Sequence, residues 1–211
     1  LAGFIFFGFP TLRSKVLEVS LHSVCIYCGS SNDVAPRFKT VARDVSEKLA
    51  KKGMTIVYGG GHVGLMGIVA DAALAIGAKV IGIIPEHIRA KEVQHTGLTE
   101  LHVVPDMHTR KRMMVERSEA FIILPGGLGT LDETFEILTW KKLQLHNKPI
   151  LIFNQDGYWD SLIALIDRTI IEGFAAPADR ALFTVVTTVD EMLEVLDNQP
   201  KAAATSITGR M

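Results

Sequence analysis

The sequence predicts an α/β protein: an open, mainly parallel sheet of about seven strands, with helices on both faces. Short apolar runs alternate with helical patterns along the chain. Every glycine-rich turn noted below follows a strand, so in a parallel sheet these turns gather on one rim. Apolar residues make up 48% of the chain and there are 18 glycines, a balance suited to tight strand-to-helix turns around one core. At 211 residues a single domain is long enough to bury that core. The arrangement is Rossmann-like.

Taken in order, residues 1–22 read as an N-terminal extension outside the core. Its LAGFIFFGFP is apolar but lacks a basic leading region and a clear cleavage site, so no signal peptide is expected. Residues 23–198 form the single nucleotide-binding domain, and 199–211 a tail. SVCIYCG (Ser23 to Gly29) is the first strand, followed by a helix from about Ala35 to Lys52. MTIVYG (Met54 to Gly59) is the second, followed by GGHVGLMG and a helix to about Ile76. Lys79 to Pro85 is the third strand, and a less regular connector runs from about Glu86 to Thr99. LHVVP is the fourth strand, and Met107 to Arg117 a basic helix. AFIILP is the fifth strand, with its helix running from about Thr130 to Leu145. PILIFN is the sixth, before a helix from about Trp159 to Glu172. TVVT (Thr184 to Thr187) is a short seventh strand, and Val189 to Leu196 a closing helix.

Composition excludes some partners. Lys and Arg number 22 against 23 Asp and Glu, which supports neither nucleic acid nor a membrane surface as a bulk electrostatic partner. No apolar run approaches the ~20 residues that a membrane span needs. Cys25 and Cys28 form a CxxC pattern, but on a strand i and i+3 point to opposite faces. Buried, inert thiols in a reducing cytoplasm are expected rather than a redox pair or a zinc site. None of the seven histidines falls in a metal-ligand spacing, and no metal or cofactor is expected.

The chemistry concentrates in LPGGLGTLDE, Leu124 to Glu133. A buried strand runs into Pro125-Gly126-Gly127 and a helix starts at about Leu128. Amides of the first helical turn lack partners within the helix, and the dipole adds partial positive charge there. A phosphate suits such a place. Gly126, Gly127 and Gly129 allow close backbone approach, and Thr130 adds a hydroxyl. Leu128, Leu131 and Asp132 complete the candidate loop. Glu133 is either a dipole partner or a group facing what the phosphate carries.

Other candidates share that rim. Gly59-Gly60-Gly61-His62-Val63-Gly64 matches G-x-G-x-x-G, but it follows the second strand, and Glu86 comes after Pro85 ends the third. A nicotinamide cofactor is therefore not expected. Gly60, Gly61 and Gly64 read instead as a second phosphate or ribose cradle, with Ser30 of CGSS beside them. The competing reading, tight turns and close helix packing, applies to Gly64 and Gly67. Among Arg110, Lys111, Arg112 and Arg117, Arg110 alone falls near the helix start on the rim, where its planar fork could hold an anionic or ribosyl group.

These residues carry a resemblance. PGGLGTLDE is similar to the PGGxGTxxE signature of the LONELY GUY family of cytokinin-activating phosphoribohydrolases, often mislabelled lysine decarboxylases. CIYCGSS, YGGGHVGLMG, IIPE, MHTRK and ILTWKKLQLHNKP agree, from about Val24 to Pro177. The resemblance implies hydrolysis of the N-glycosidic bond of N6-substituted adenosine 5′-monophosphates, giving the free base and ribose 5-phosphate. It implies Arg110 and Glu133 as the catalytic pair and Gly127 to Thr130 as the phosphate loop. Lys111, Glu92 and Thr139 match the remaining substrate contacts, and a homodimer with residues of both chains lining the pocket is implied. Lys142 replaces a residue often Gln in the family, at the pocket edge. A nucleotide binder or carrier without turnover would need the glycines and Thr130, but not Glu133. Pyridoxal-dependent decarboxylation finds no Schiff-base lysine motif.

Overall fold

A computed structural model describes residues 21–89 and 93–199. The expected N-terminal extension, but for its last two residues, and the tail beyond Gln199 lie outside the described residues, as does Glu92.

The elements are β1 (Ser23–Tyr27), α1 (Pro36–Lys51), β2 (Thr55–Tyr58), α2 (Leu65–Ala75), β3 (Val80–Pro85), β4 (Glu100–Val104) and α3 (Met107–Glu116). Then follow β5 (Ala120–Ile123), α4 (Leu128–Lys142), β6 (Ile150–Phe153), α5 (Asp160–Ile171), β7 (Thr184–Val186) and α6 (Val189–Asp197). The strands form one sheet in the order β4-β3-β2-β1-β5-β6-β7. The expected mainly parallel sheet is parallel at every pairing.

Such a sheet is buried on both faces, which is why its strands read as unbroken apolar runs. Side-chain alternation divides the core into two layers. Val24, Ile26, Ile56, Tyr58, Ile122 and Leu151 pack against α1, α2 and α6. Cys25, Tyr27, Val57, Phe121, Ile123 and Ile150 face α3, α4 and α5. Cys25 and Cys28 fall in different layers, both buried. Burial pushes the Cys25 thiol far above the usual range, with the negative charge of Glu133 a second cause.

Local chemistry sets the helix ends. Pro36 opens α1, where a missing N–H costs nothing, and Lys48 and Lys51 close it against the dipole. Asp106 caps α3 by accepting the Thr109 amide at 2.7 Å, and Thr188 caps α6 by accepting that of Glu191 at 3.2 Å. These caps fix the entry of α3, and hence of the basic residues that follow.

The irregular connector after β3 begins as a single 3-10 turn, Glu86–Ile88. Its return leg lies against the glycine turn of β2. The His62 amide donates to the Val93 carbonyl at 2.9 Å, and the His95 amide to the Gly60 carbonyl at 3.0 Å. Side chains add to this: His62 and His95 both contact Asp71 of α2, at 3.3 and 2.9 Å.

His146, beyond α4, is buried against Phe121. Its Nδ1 accepts the Lys148 amide at 3.2 Å, so Nε2 carries the proton and donates to the Ile137 carbonyl at 2.9 Å. Burial lowers its pKa from 6.5 to about 4. Between those values the unfolded chain binds more protons, so His146 stabilises the fold above pH 6.5 and loses that contribution as pH falls toward 4. The loss amounts to on the order of 3 kcal/mol. Urea titrations from pH 7 to 4 are expected to show it, and His146→Gln should flatten the slope while lowering stability at pH 7. An unchanged slope in that variant would remove His146 as its origin.

Candidate active site

The chain winds outward from β1 to β4, then crosses back to β5 and winds outward to β7. Strand order therefore reverses between β1 and β5, and a crevice opens beyond their carboxyl ends. The two turns that line it are tied back to back. The Leu124 amide donates to the Tyr27 carbonyl at 2.9 Å, and the Gly29 amide to the Pro125 carbonyl at 3.0 Å. A Cβ on Gly29 would stand 3.3 Å from the Gly126 Cα, tighter than an ordinary contact, so the two turns pass close to each other. A cleft of about 350 Å³ results, within the usual range for small-molecule sites.

One wall is the start of α4. Gly127 stands at its N-cap position with no side-chain cap, so the amides of the first turn are available to a guest. Gly127, Leu128, Gly129 and Thr130 line the cleft. A Cβ on Gly127 or Gly129 would meet nothing within 4 Å, which leaves that space for a ligand. Gly126 differs. A Cβ there would fall 2.1 Å from Thr130 Oγ1, so Gly126 is required for the threonine to turn inward. The Tyr158 hydroxyl donates to the Gly126 carbonyl at 2.7 Å and holds the turn from outside.

Facing that wall, Arg110 Nη2 lies 3.3 Å from Glu133 Oε1, both residues less than a tenth exposed. Glu133 sits roughly 7.5 Å along the α4 axis from Leu128. A Cβ on Gly59 would stand 2.1 Å from Arg110 Nη2, so the guanidinium rests on the bare end of β2. Arg110 Nη1 points to Met107 Sδ at 3.7 Å, while Nε is buried with no hydrogen-bond partner among the described residues. Behind the pair, burial and then the neighbouring Cys25 hold the Tyr27 phenol well above its ordinary pKa, so it stays neutral.

Ser30 also lines the cleft, from the turn after β1. The other expected contacts are placed elsewhere. Lys111 binds Asp132 and Glu136 and does not line the cleft. Leu131 packs on the core beneath α4. Thr139 lies further along α4, in a separate hollow with Phe135, Lys142 and Asp179. Glu92 lies outside the described residues.

Gly60, Gly61 and Gly64, expected as a second phosphate or ribose cradle, do not line this cleft. A Cβ on Gly60 would press on Ile84 at 3.1 Å, and one on Gly64 would fall 2.5 Å from the Ser31 amide nitrogen. Both take positive φ, 79° and 67°. Gly61 bridges to Gln94. Gly59 is the glycine of this motif that serves the site. The sequence reading also passed over Ile26, Cys28, Met66, His87, Ile88 and Met107, which make the cleft apolar on one side. Strand ends pointed at Cys28, but the connector bearing His87 and Ile88 has no periodic signal.

Among the described residues, His62, Asp71 and His95 are grouped closely enough to hold a cation. Their bonding argues otherwise. The Gly97 amide donates to His95 Nδ1 at 3.0 Å, so Nε2 carries the ring proton and spends it on Asp71. That leaves no lone pair at Nε2 for a metal.

Two substitutions separate ligand space from packing space. Gly127→Val should keep a wild-type melting temperature yet abolish binding of a nucleoside 5′-monophosphate in titration calorimetry. Gly126→Ala should lose about 1–3 kcal/mol through its clash with Thr130. A Gly127→Val protein that still binds would place the phosphate elsewhere.

Comparison with known proteins identifies the family. Residues 66–196 match the family model described as "Possible lysine decarboxylase". A probable cytokinin riboside 5′-monophosphate phosphoribohydrolase of Oryza sativa subsp. japonica is 40% identical over 180 residues, covering 85% of each chain. A cytokinin riboside 5′-monophosphate phosphoribohydrolase of Rhodococcoides fascians is 44% identical, covering 80% of this chain and 85% of its own. One from Arabidopsis thaliana is 40% identical, covering 82% and 81%. Among solved structures, the molybdenum cofactor carrier protein of Chlamydomonas reinhardtii superposes with a TM-score of 0.63 at 18% identity, covering 83% of this chain and 94% of its own. At that identity the likeness is one of fold. With relatives this similar over four-fifths of its length, the chain belongs to the cytokinin riboside 5′-monophosphate phosphoribohydrolase family.

Proposed function

We propose that this protein hydrolyses the N-glycosidic bond of adenosine 5′-monophosphates, N6-substituted ones included, to free base and ribose 5-phosphate. The observation that carries the reading is the buried Arg110–Glu133 pair, set beside an uncapped helix start in one cleft. A carrier would need only the helix start.

The 5′-phosphate binds at the amides of Gly127 to Thr130, with the Thr130 hydroxyl as a further donor. That anchorage fixes the ribose and supplies binding energy remote from the reacting bond. As the C1′–N9 bond breaks, positive charge grows on the ribose. Glu133 stabilises it and takes a proton from the incoming water. The water oxygen bonds to C1′ as its proton passes to Glu133; the base leaves with the C1′–N9 bonding pair and takes up a proton from solvent, and Glu133 returns its own to solvent. Arg110 holds the carboxylate through Nη2 and offers its unpartnered Nε–H to a ribose hydroxyl. Ile88, Met107 and Leu128 provide apolar surface for the base and its substituent.

Thr139 belongs to the pocket of a partner in a homodimer, on this reading. Its distance from its own cleft supports that, as do the partly exposed Phe135 and Leu143 on and just after the same helix. Near-neutral net charge gives nucleic acid no purchase. Among the described residues no helix is long and apolar enough to cross a membrane.

Incubation with AMP and with isopentenyladenosine monophosphate should release ribose 5-phosphate, and the corresponding nucleosides should not react. Glu133→Gln should lower kcat by ~10²- to 10⁴-fold with KM nearly unchanged. Because it leaves a buried guanidinium beside a neutral amide, it should also lose up to about 3 kcal/mol of stability. Assays well below its melting point separate the two effects. A folded Glu133→Gln enzyme with wild-type kcat would remove the carboxylate from the reaction, and tight binding without turnover would favour the carrier.

A further inference from the structure

The peptide between Gly126 and Gly127 forms the partition between two hollows. Gly127 lines the cleft. On the outer side of the turn, Tyr158, Phe38 and Pro125 line a separate hollow of about 300 Å³, which Gly126 and Gly127 also border. From there the Tyr158 hydroxyl donates to the Gly126 carbonyl at 2.7 Å. In a planar trans peptide the N–H points opposite to the C=O. A carbonyl drawn outward to Tyr158 therefore turns the Gly127 N–H toward the cleft.

The backbone does not secure that orientation by itself. Glycine stands on both sides of this peptide, so no Cβ resists its rotation. A flip would carry Gly127 from a φ of −102° into the positive region, which glycine alone enters freely. Turned over, the peptide would present an oxygen to the phosphate where it now presents an amide.

The ring that delivers the hydroxyl is preset. Asn154, just past β6, accepts the Trp159 amide at 2.7 Å and donates to Asp160 Oδ1 at 2.7 Å, closing the loop that carries Tyr158. The Tyr158 ring meets Phe38 edge-on at 5.4 Å and Trp159 edge-on at 4.8 Å. Arg37 pairs with Asp156 of the same loop at 3.3 Å. The hydroxyl is thus held at Gly126 by contacts from α1 and from its own loop.

We infer that Tyr158 is a positioning residue for phosphate: it fixes the Gly126–Gly127 peptide with its N–H toward the cleft, so the Gly127 amide is aimed before the 5′-phosphate arrives. The inference rests on the phosphate-binding part of the reading proposed above, and not on the hydrolytic step.

The test compares wild type with Tyr158→Phe, which keeps the ring contacts and removes only the hydroxyl. Tyr158 is 42% exposed, so water competes for the Gly126 carbonyl and the loss is modest. KM for AMP and Kd for ribose 5-phosphate should rise roughly 3- to 10-fold, the worth of one such hydrogen bond. Uniform loss of phosphate binding should leave kcat within about twofold. Affinity for adenosine, which has no phosphate, should not change. In amide NMR spectra, inorganic phosphate should shift the Gly127 resonance of wild type, and the shift should shrink in Tyr158→Phe at the same phosphate concentration. A lower melting temperature with every affinity unchanged would make the hydroxyl a merely structural bond and overturn the inference. Equal weakening of adenosine and ribose 5-phosphate would overturn it too, as would a wild-type Gly127 amide that phosphate leaves unmoved. A wild type that binds ribose 5-phosphate in this Tyr158-dependent way, yet releases none from AMP, would sink the hydrolase reading and uphold the positioning role. Turnover of AMP with Tyr158→Phe equal to wild type in KM and Kd would do the reverse.

Discussion

The meeting of β1 and β5 at the centre of the sheet is the constraint on which this molecule depends. Both strands are buried on both faces, and their neighbours run outward in opposite directions. Helices from the two halves therefore leave a gap over their carboxyl ends that no side chain of the sheet can fill. The backbone turns that border it are locked by the Gly29–Pro125 hydrogen bond and by the close contact of Gly29 with Gly126. Rigid walls around an unfilled gap make a binding site without any loop having to move.

Two charges placed in that gap are expensive. Removing a carboxylate and a guanidinium from water costs several kcal/mol each, and mutual attraction recovers this only with good geometry. Arg110 Nη2 meets Glu133 Oε1 at 3.3 Å, and the Arg110 Nε finds no hydrogen-bond partner among the described residues. A pair held for stability alone would be fully hydrogen-bonded, or replaced by apolar packing of the same volume. A buried guanidinium nitrogen left open toward the cleft is what the proposed reading uses to hold a polar ligand.

Much of this was legible in the residues. The strands and helices follow their apolar patterns to within a few residues, because a doubly covered parallel sheet writes itself as uninterrupted Val, Ile and Leu. The helix start at Leu128 was readable too, since strand, glycine turn and helix leave few alternatives, whereas the pairing of Arg110 with Glu133 came from the family resemblance. What escaped was governed by contacts between distant segments. Nothing in YGGGH distinguishes Gly59, which receives the guanidinium of a residue fifty positions away, from Gly60, which packs on Ile84. Lys111 looks like its neighbour until α4 is folded against it. Thr139 has no place in its own cleft, because nine residues along a helix carry it roughly 13 Å from Thr130.

The glycines show how a fold separates structure from function at the level of single atoms. Gly29, Gly60, Gly64 and Gly126 are small because protein already occupies the place where a Cβ would go. Gly127 and Gly129 have no such neighbour, and the backbone at Gly127 is extended, a conformation open to any residue. Neither sterics nor strain within the chain explains a missing side chain there. On the proposed reading that open space is what a ligand's approach to the amides uses. A tetrahedral anion at the head of α4 meets that description, since its oxygens take hydrogen bonds from the same first-turn amides.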